Sequence, residues 1–225
     1  MRDRYTVAVG LVFAAVAVIA VVNGIGGGGG TLGLEAQPRH WPLPEFAVPL
    51  VSGDSEGLEG DANVAQDDCE TSALPCPDES RRTPACRVRT PRAIRVCDLF
   101  DRPSVISFWF TGKDGRCVEQ QDVVNRVAAR YGGRVAFLSL EIGGDRGEVE
   151  DLVRERDWAM PVGFDRDGAV GSLYRVGICP TFAYAFPGGT LHGAGIGQLD
   201  FEQLSGRVDD LLQATTRAEG REGRG

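Results

Sequence analysis

The sequence predicts an α/β fold, a mixed sheet with helices packed on its faces. Three observations carry this reading. Two runs of strand composition, residues 105–110 (VISFWF) and 134–140 (RVAFLSL), bracket an amphipathic stretch at 117–131. Strand–helix–strand order demands a right-handed crossover and a parallel strand pair. Farther on, Gly188-Gly189 separates residues 181–186 (TFAYAF) from 191–195 (LHGAG), the pattern of an antiparallel hairpin. A sheet with both kinds of pair, buried on both sides, needs helical cover above and below.

Each element has its own warrant. Residues 93–96 read as a short strand, and Asp101-Arg102-Pro103 as the turn before the first long one. Residues 105–110 have the β-branched and aromatic density of a buried strand. In the helix that follows, Val124, Val127, Ala128 and Tyr131 recur at i, i+3, i+4 and i+7. Cys117 extends that stripe one heptad backward, so it is expected in the first turn, facing the sheet. Gly132-Gly133 ends the helix. Residues 146–158 form a charged helix with Val149, Leu152 and Val153 turned inward, and Glu150 with Arg154 is a surface i,i+4 pair. Residues 160–164 (MPVGF) make a short strand, Asp165-Arg166-Asp167-Gly168 a turn, and residues 169–175 a short helix. Phe201, Leu204, Val208, Leu211 and Leu212 mark a final helix. The polar residues 213–225 are expected to form a disordered tail.

The N-terminal part has a different character. Residues 7–22 are almost wholly aliphatic and follow Arg2 and Arg4. An apolar stretch of about 18–20 residues spans a bilayer, and flanking arginines favour an inside N-terminus. The expectation is a cytoplasmic tip at 1–4, a single-pass transmembrane signal-anchor at 5–25, a Gly-rich linker at 26–38 and an extracytoplasmic domain at 39–212. A cleaved signal peptide is the rival reading. Residues 40–50 mix prolines with apolar side chains and suit an irregular extended segment or a short edge strand.

A net charge of −8 argues against a nucleic-acid partner. Six cysteines without a CxxC pair, and only two histidines, make a poor zinc set, so no metal or cofactor is expected. Export permits disulfides. The irregular segment 51–97 carries Cys69, Cys76, Cys86 and Cys97, and disulfides among them would explain so long a loop. Four cysteines allow three connectivities, and idle thiols in a linker are the alternative.

Several motifs together carry a resemblance. They are Arg102-Pro103, Phe108-Trp109, Cys117 at the helix start, Asp165-Arg166-Asp167-Gly168, Val176-Gly177, Pro180-Thr181-Phe182 and Pro187-Gly188-Gly189. With them the chain, from about residue 41 to 212, resembles the thioredoxin superfamily. Within it, the chain looks like the membrane-anchored extracytoplasmic thioredoxin-like proteins of the TlpA type. The resemblance implies a thioredoxin-like fold, a cis peptide at Pro180 beside the active-site cysteines, and partners that are protein thiols or disulfides outside the membrane. It also implies a substrate groove at Pro180, Thr181 and Trp109, although a core position is the plainer reading of Trp109. Thr111, Lys113, Asp114, Gly115 and Arg116 become the loop at the helix N-terminus. This chain departs from the family at one point. Cys117 matches the second cysteine of the family's Cys-x-x-Cys, and the first has no counterpart between Thr111 and Cys117. The resemblance places Cys179, directly before Pro180, beside Cys117. Two functions follow: thiol–disulfide exchange with Cys117 and Cys179 as catalytic residues, or a redox-inactive binding module in which the same pair is a structural disulfide. A peroxidase reading fits less well, because the Thr111–Cys117 spacing is long. His192, on the hairpin, is expected to be exposed.

Overall fold

The computed structural model describes residues 33–51, 65–66, 84–87, 89, 92–112 and 115–222. The expected anchor, together with Cys69, Cys76, Lys113 and Asp114, lies outside the described residues. Among the described residues no helix is long and apolar enough to cross a membrane.

The strand-forming runs sort into two sheets. Phe46–Pro49 (β1) pairs antiparallel with Ala65–Gln66 (β2) on one side and Ala93–Arg95 (β3) on the other. The main sheet holds Ser104–Trp109 (β4), Ala136–Ile142 (β5), Val162–Asp165 (β6), Thr181–Ala185 (β7) and Leu191–Ile196 (β8). Its order is β6-β5-β4-β7-β8, parallel from β6 through β4 and antiparallel from β4 through β8. The helices are Arg116–Tyr131 (α1), Arg146–Glu155 (α2), Ala169–Leu173 (α3) and Phe201–Glu222 (α4). This is the mixed sheet flanked by helices that the strand–helix order requires.

Period-2 alternation along β4 feeds two cores. Val105 and Trp109 join Val124 and Val127 of α1, Val149 of α2, and Leu204 and Val208 of α4. Ile106 and Phe108 enter the opposite core with Phe46, Val48, Ile94, Val170 and Tyr174. The Tyr174 ring lies 5.7 Å from Phe46 and 5.1 Å from Phe108, and its hydroxyl donates to the Pro44 carbonyl at 2.8 Å. One buried tyrosine thereby clamps the N-terminal sheet onto the main one. The clamp also needs a glycine. A Cβ at Gly163 of β6 would sit 2.9 Å from Val48 Cγ2 and 3.0 Å from Leu140 Cδ1, so any side chain there would push β1 away.

Three expectations require correction. The packed domain already includes Gly33 and Leu34, inside the region expected to be linker. Gly33–Ala36 forms a 3-10 turn, and Leu34 is buried in the core shared with Leu43 and Leu191. A single apolar side chain with a receptive pocket outweighs its glycine-rich surroundings. Residues 40–50 contain the central strand of the small sheet instead of an edge, because β1 finds partners on both sides. The tail read as disordered over 213–225 is helical as far as Glu222. Its Ala, Gln, Arg and Glu residues favour helix. Thr215 is buried and its hydroxyl donates to the Leu211 carbonyl at 2.9 Å, so core contact continues past Leu212.

Candidate functional site

Cys117 is the second residue of α1, which starts after Gly115 in a left-handed conformation (φ 67°). Cys179 precedes β7 across a cis Cys179-Pro180 peptide bond. The two cysteines are joined in a disulfide with their Cα atoms 5.9 Å apart, and both pack half-buried against the α1 core. That separation is ordinary for a disulfide. The segment after β8 holds the two ends together. Gly197 N–H donates to the Pro180 carbonyl at 2.9 Å, and the Gln198 amide donates to the Arg116 carbonyl at 2.9 Å. Gln120 and Leu199 bond reciprocally at 3.0 and 2.8 Å. The first turn of α1 is therefore stitched to the start of β7 through residues 197–199.

A buried polar network fixes the register of α1. Gln121 is fully buried; its amide donates to Ser107 Oγ of β4 at 3.1 Å and its carbonyl accepts from Ser139 Oγ of β5 at 2.9 Å. Ser107 and Ser139 are direct partners across the β4–β5 ladder. Gln121 lies one turn beyond Cys117, so the network sets where the sulfur sits over the sheet. Sequence reasoning passed over this residue. The available signal was a polar side chain on the apolar stripe, four residues after Cys117 and three before Val124. Gln121→Leu keeps the volume but leaves two buried hydroxyls without their partner, and is expected to lower the unfolding free energy by about 2 kcal/mol. Urea denaturation checks this; a loss below about 0.5 kcal/mol would mean that the serines find other partners.

The expected site residues separate on inspection. Trp109 is 0% exposed and meets Trp158 edge-on at 5.6 Å, so it belongs to the core and lines no groove. Pro180 and Thr181 are also buried, and Thr181 Oγ1 turns back to donate to the Ile178 carbonyl at 2.5 Å. All three side chains are buried, because the sheet is covered on both faces here, so none of them is presented to a partner among the described residues. The accessible residue at this corner is Ile178, 58% exposed. Thr111 is half-buried, Gly115 caps α1 without a side chain, and Arg116 is exposed. His192 is half-buried against the Phe186 ring at 4.9 Å instead of exposed, and burial draws its pKa down.

Of the four cysteines in the irregular segment, Cys86 and Cys97 are bonded to each other, Cα atoms 5.8 Å apart. Glu45 Oε2 accepts from the Cys86 N–H at 3.2 Å, and its carboxylate lies within 4.8 Å of both sulfurs. With the sulfurs bonded to each other, no thiolate is available there to hold a metal.

A second feature absent from the sequence reading is Glu141, fully buried at the end of β5 and paired in register with Trp109. Its carboxylate accepts the Gly144 N–H at 3.2 Å and a backbone bond from Thr111, while Oε1 has no hydrogen-bond partner among the described residues. Burial is the largest cause that pushes its pKa up, to about 7, with nearby Asp165 and Glu148 adding to the rise. Asp165, read as a turn residue, is also buried and accepts the Gly171 N–H at 2.7 Å, at the start of α3. A groove of about 420 Å³ lined by Leu99, Ala128, Phe137 and Met160 opens where β5 begins. That is the far end of the strand from Glu141, away from the disulfide.

No protein-family model matches the chain. In sequence it is similar to the thiol-disulfide oxidoreductase ResA of Oceanobacillus iheyensis, 26% identical over 119 residues. That match covers 52% of this chain and 62% of the relative, so the chain spans less than two thirds of ResA. In structure it is similar to a Corynebacterium diphtheriae DsbF homologue, with a TM-score of 0.53 and 10% identity over 75% of this chain and 85% of the other. A Chlorobium tepidum protein provisionally named thiol:disulfide interchange protein DsbE gives a TM-score of 0.54 at 14% identity, covering 78% of this chain and 98% of its own. At such identities the structural matches speak for architecture alone. By fold, the chain is a thioredoxin-like protein.

Proposed function

We propose that this chain is a thiol–disulfide oxidoreductase acting on protein thiols or disulfides, with Cys117 and Cys179 as its redox pair. The observation that carries the reading is the bond between a sulfur in the first turn of α1 and a sulfur on the partly open corner before β7. A helix N-terminus favours a thiolate, and exchange requires an accessible sulfur with a resolving partner. The likeness to ResA supports the same chemistry. We place the domain outside the cytoplasm, tethered by residues 5–25. The aliphatic run at 7–22 and the preceding Arg2 and Arg4 support this placement. External protease should strip the domain from intact cells; a protected domain would sink the placement.

The test of function is direct. Thiols are counted in the native oxidised protein before and after mild reduction, and insulin reduction is followed with a thiol donor present. The expected result is native-state release of the 117 and 179 thiols together with catalytic turnover of insulin. A pair that resists reduction until the protein unfolds, without turnover, would instead identify a binding module held by a structural disulfide.

A further inference from the structure

The Cys117–Cys179 bond has two chemically unequal ends. Cys117 stands at the N-terminus of a long helix, where exposed N–H groups stabilise negative charge. Cys179 stands in the connection between α3 and β7, at no helix start. In disulfide exchange the sulfur that leaves as the better-stabilised thiolate leaves faster. Both cysteines are half-buried, each with one exposed and one buried neighbour, Arg116 and Val118 beside Cys117 and Ile178 and Pro180 beside Cys179. Their borders differ: residues 197–199 close one side of the first turn of α1 through the Gln198 and Gln120 bonds, whereas the exposed Gly177 and Ile178 lead into Cys179.

We propose that Cys179 is the sulfur that bonds to the partner, and that Cys117 is the leaving and resolving sulfur. This assignment rests on the exchange reading above. A partner thiolate attacks Cys179 Sγ from the side opposite Cys117. The Cys117–Cys179 bond breaks, its electron pair leaves on Cys117 Sγ as a thiolate, and a partner–Cys179 mixed disulfide forms. A second partner thiolate then attacks the partner sulfur and expels Cys179 as a thiolate, which takes a proton from water. The partner dithiol is oxidised to a disulfide and the Cys117–Cys179 pair is reduced. Run backward, Cys179 attacks a partner disulfide and Cys117 resolves the adduct.

The surroundings of Cys179 also specify the partner. The exposed large hydrophobic side chains among the described residues are Ile178, 58% exposed, and Ile196, 38% exposed. Ile178 adjoins Cys179 in the chain, and Ile196 pairs with Thr181 in the β7–β8 ladder. The backbones of both therefore lie next to the Cys179-Pro180 step. The partner this corner fits is an extended segment with apolar side chains next to its cysteine.

Two measurements test this on the full chain. The oxidised protein is treated with glutathione, quenched in acid, alkylated and mapped by peptide mass. Glutathione on Cys179 and alkyl label on Cys117 are expected, in an excess of about tenfold over the reverse. Equal labelling, or glutathione on Cys117, overturns the assignment while leaving exchange intact. No exchange at either sulfur in the native protein overturns the exchange reading, and this inference with it. Second, cysteine peptides flanked by leucine are compared with peptides flanked by serine as reductants of the pair. Leucine should be favoured by about fivefold, the effect of one modest apolar contact, and the preference should vanish in Ile178→Ser/Ile196→Ser. A preference near one in the unsubstituted protein overturns the assignment of partner.

Discussion

Replacement of Cys117 and Cys179 together by alanine is expected to lower the unfolding free energy by about 4 kcal/mol and to abolish insulin turnover. The crosslink joins residues 62 apart in sequence, which removes a large loop-closure entropy from the unfolded chain. The enclosed segment runs from α1 through β5, α2, β6 and α3, so most of the parallel half of the sheet lies inside the loop. Guanidinium unfolding of the oxidised protein, the reduced protein and the double variant checks the prediction. The reduced protein should fall close to the variant, since both lack the crosslink. A difference below about 1 kcal/mol between oxidised and reduced forms would mean that the bond constrains little. Full turnover in the variant would sink the assignment of the redox pair.

Glu141→Gln is expected to stabilise the protein by about 3 kcal/mol above pH 7 and to change little below pH 4.5. In the folded chain the Glu141 carboxyl is raised from 4.5 to about 7, with burial the largest cause. The folded protein therefore holds this proton more tightly than the unfolded chain does. Between those two pH values folding takes up a proton, and stability falls as pH rises through the window. Below it both states are protonated, and above it both are ionised and the loss is complete. Glutamine stays neutral, and its side-chain carbonyl still accepts the Gly144 N–H. Unfolding free energies measured from pH 4 to 8 check the prediction: the native protein should lose stability across the range and the variant should not. Parallel curves for the two would show that Glu141 titrates normally.

The local elements of this fold were written in the spacing of side chains. The i, i+3, i+4, i+7 stripe from Cys117 to Tyr131, the runs at β4 and β5, and the glycine pair between β7 and β8 each depend on residues close together in the chain. Glu141 has no local signature, because the apolar run of its strand stops at Leu140. Gln121 escaped because a polar side chain on a buried stripe has no local signature until its serine partners, on two other strands, are known.

By itself, then, the sequence determined the order of strands and helices, the parallel and antiparallel pairs, and the presence of Cys117 in a helical first turn. These follow from periodicity and backbone sterics, which act over a few residues. Only the tertiary structure decided that Cys117 and Cys179 are bonded, that Pro180 and Thr181 are buried, that residues 46–49 sit at the centre of a second sheet, and that a carboxylate lies buried at the end of β5. Each of these depends on segments distant in sequence meeting in space, where burial, crosslinking and unmet hydrogen bonds are properties of the assembled core.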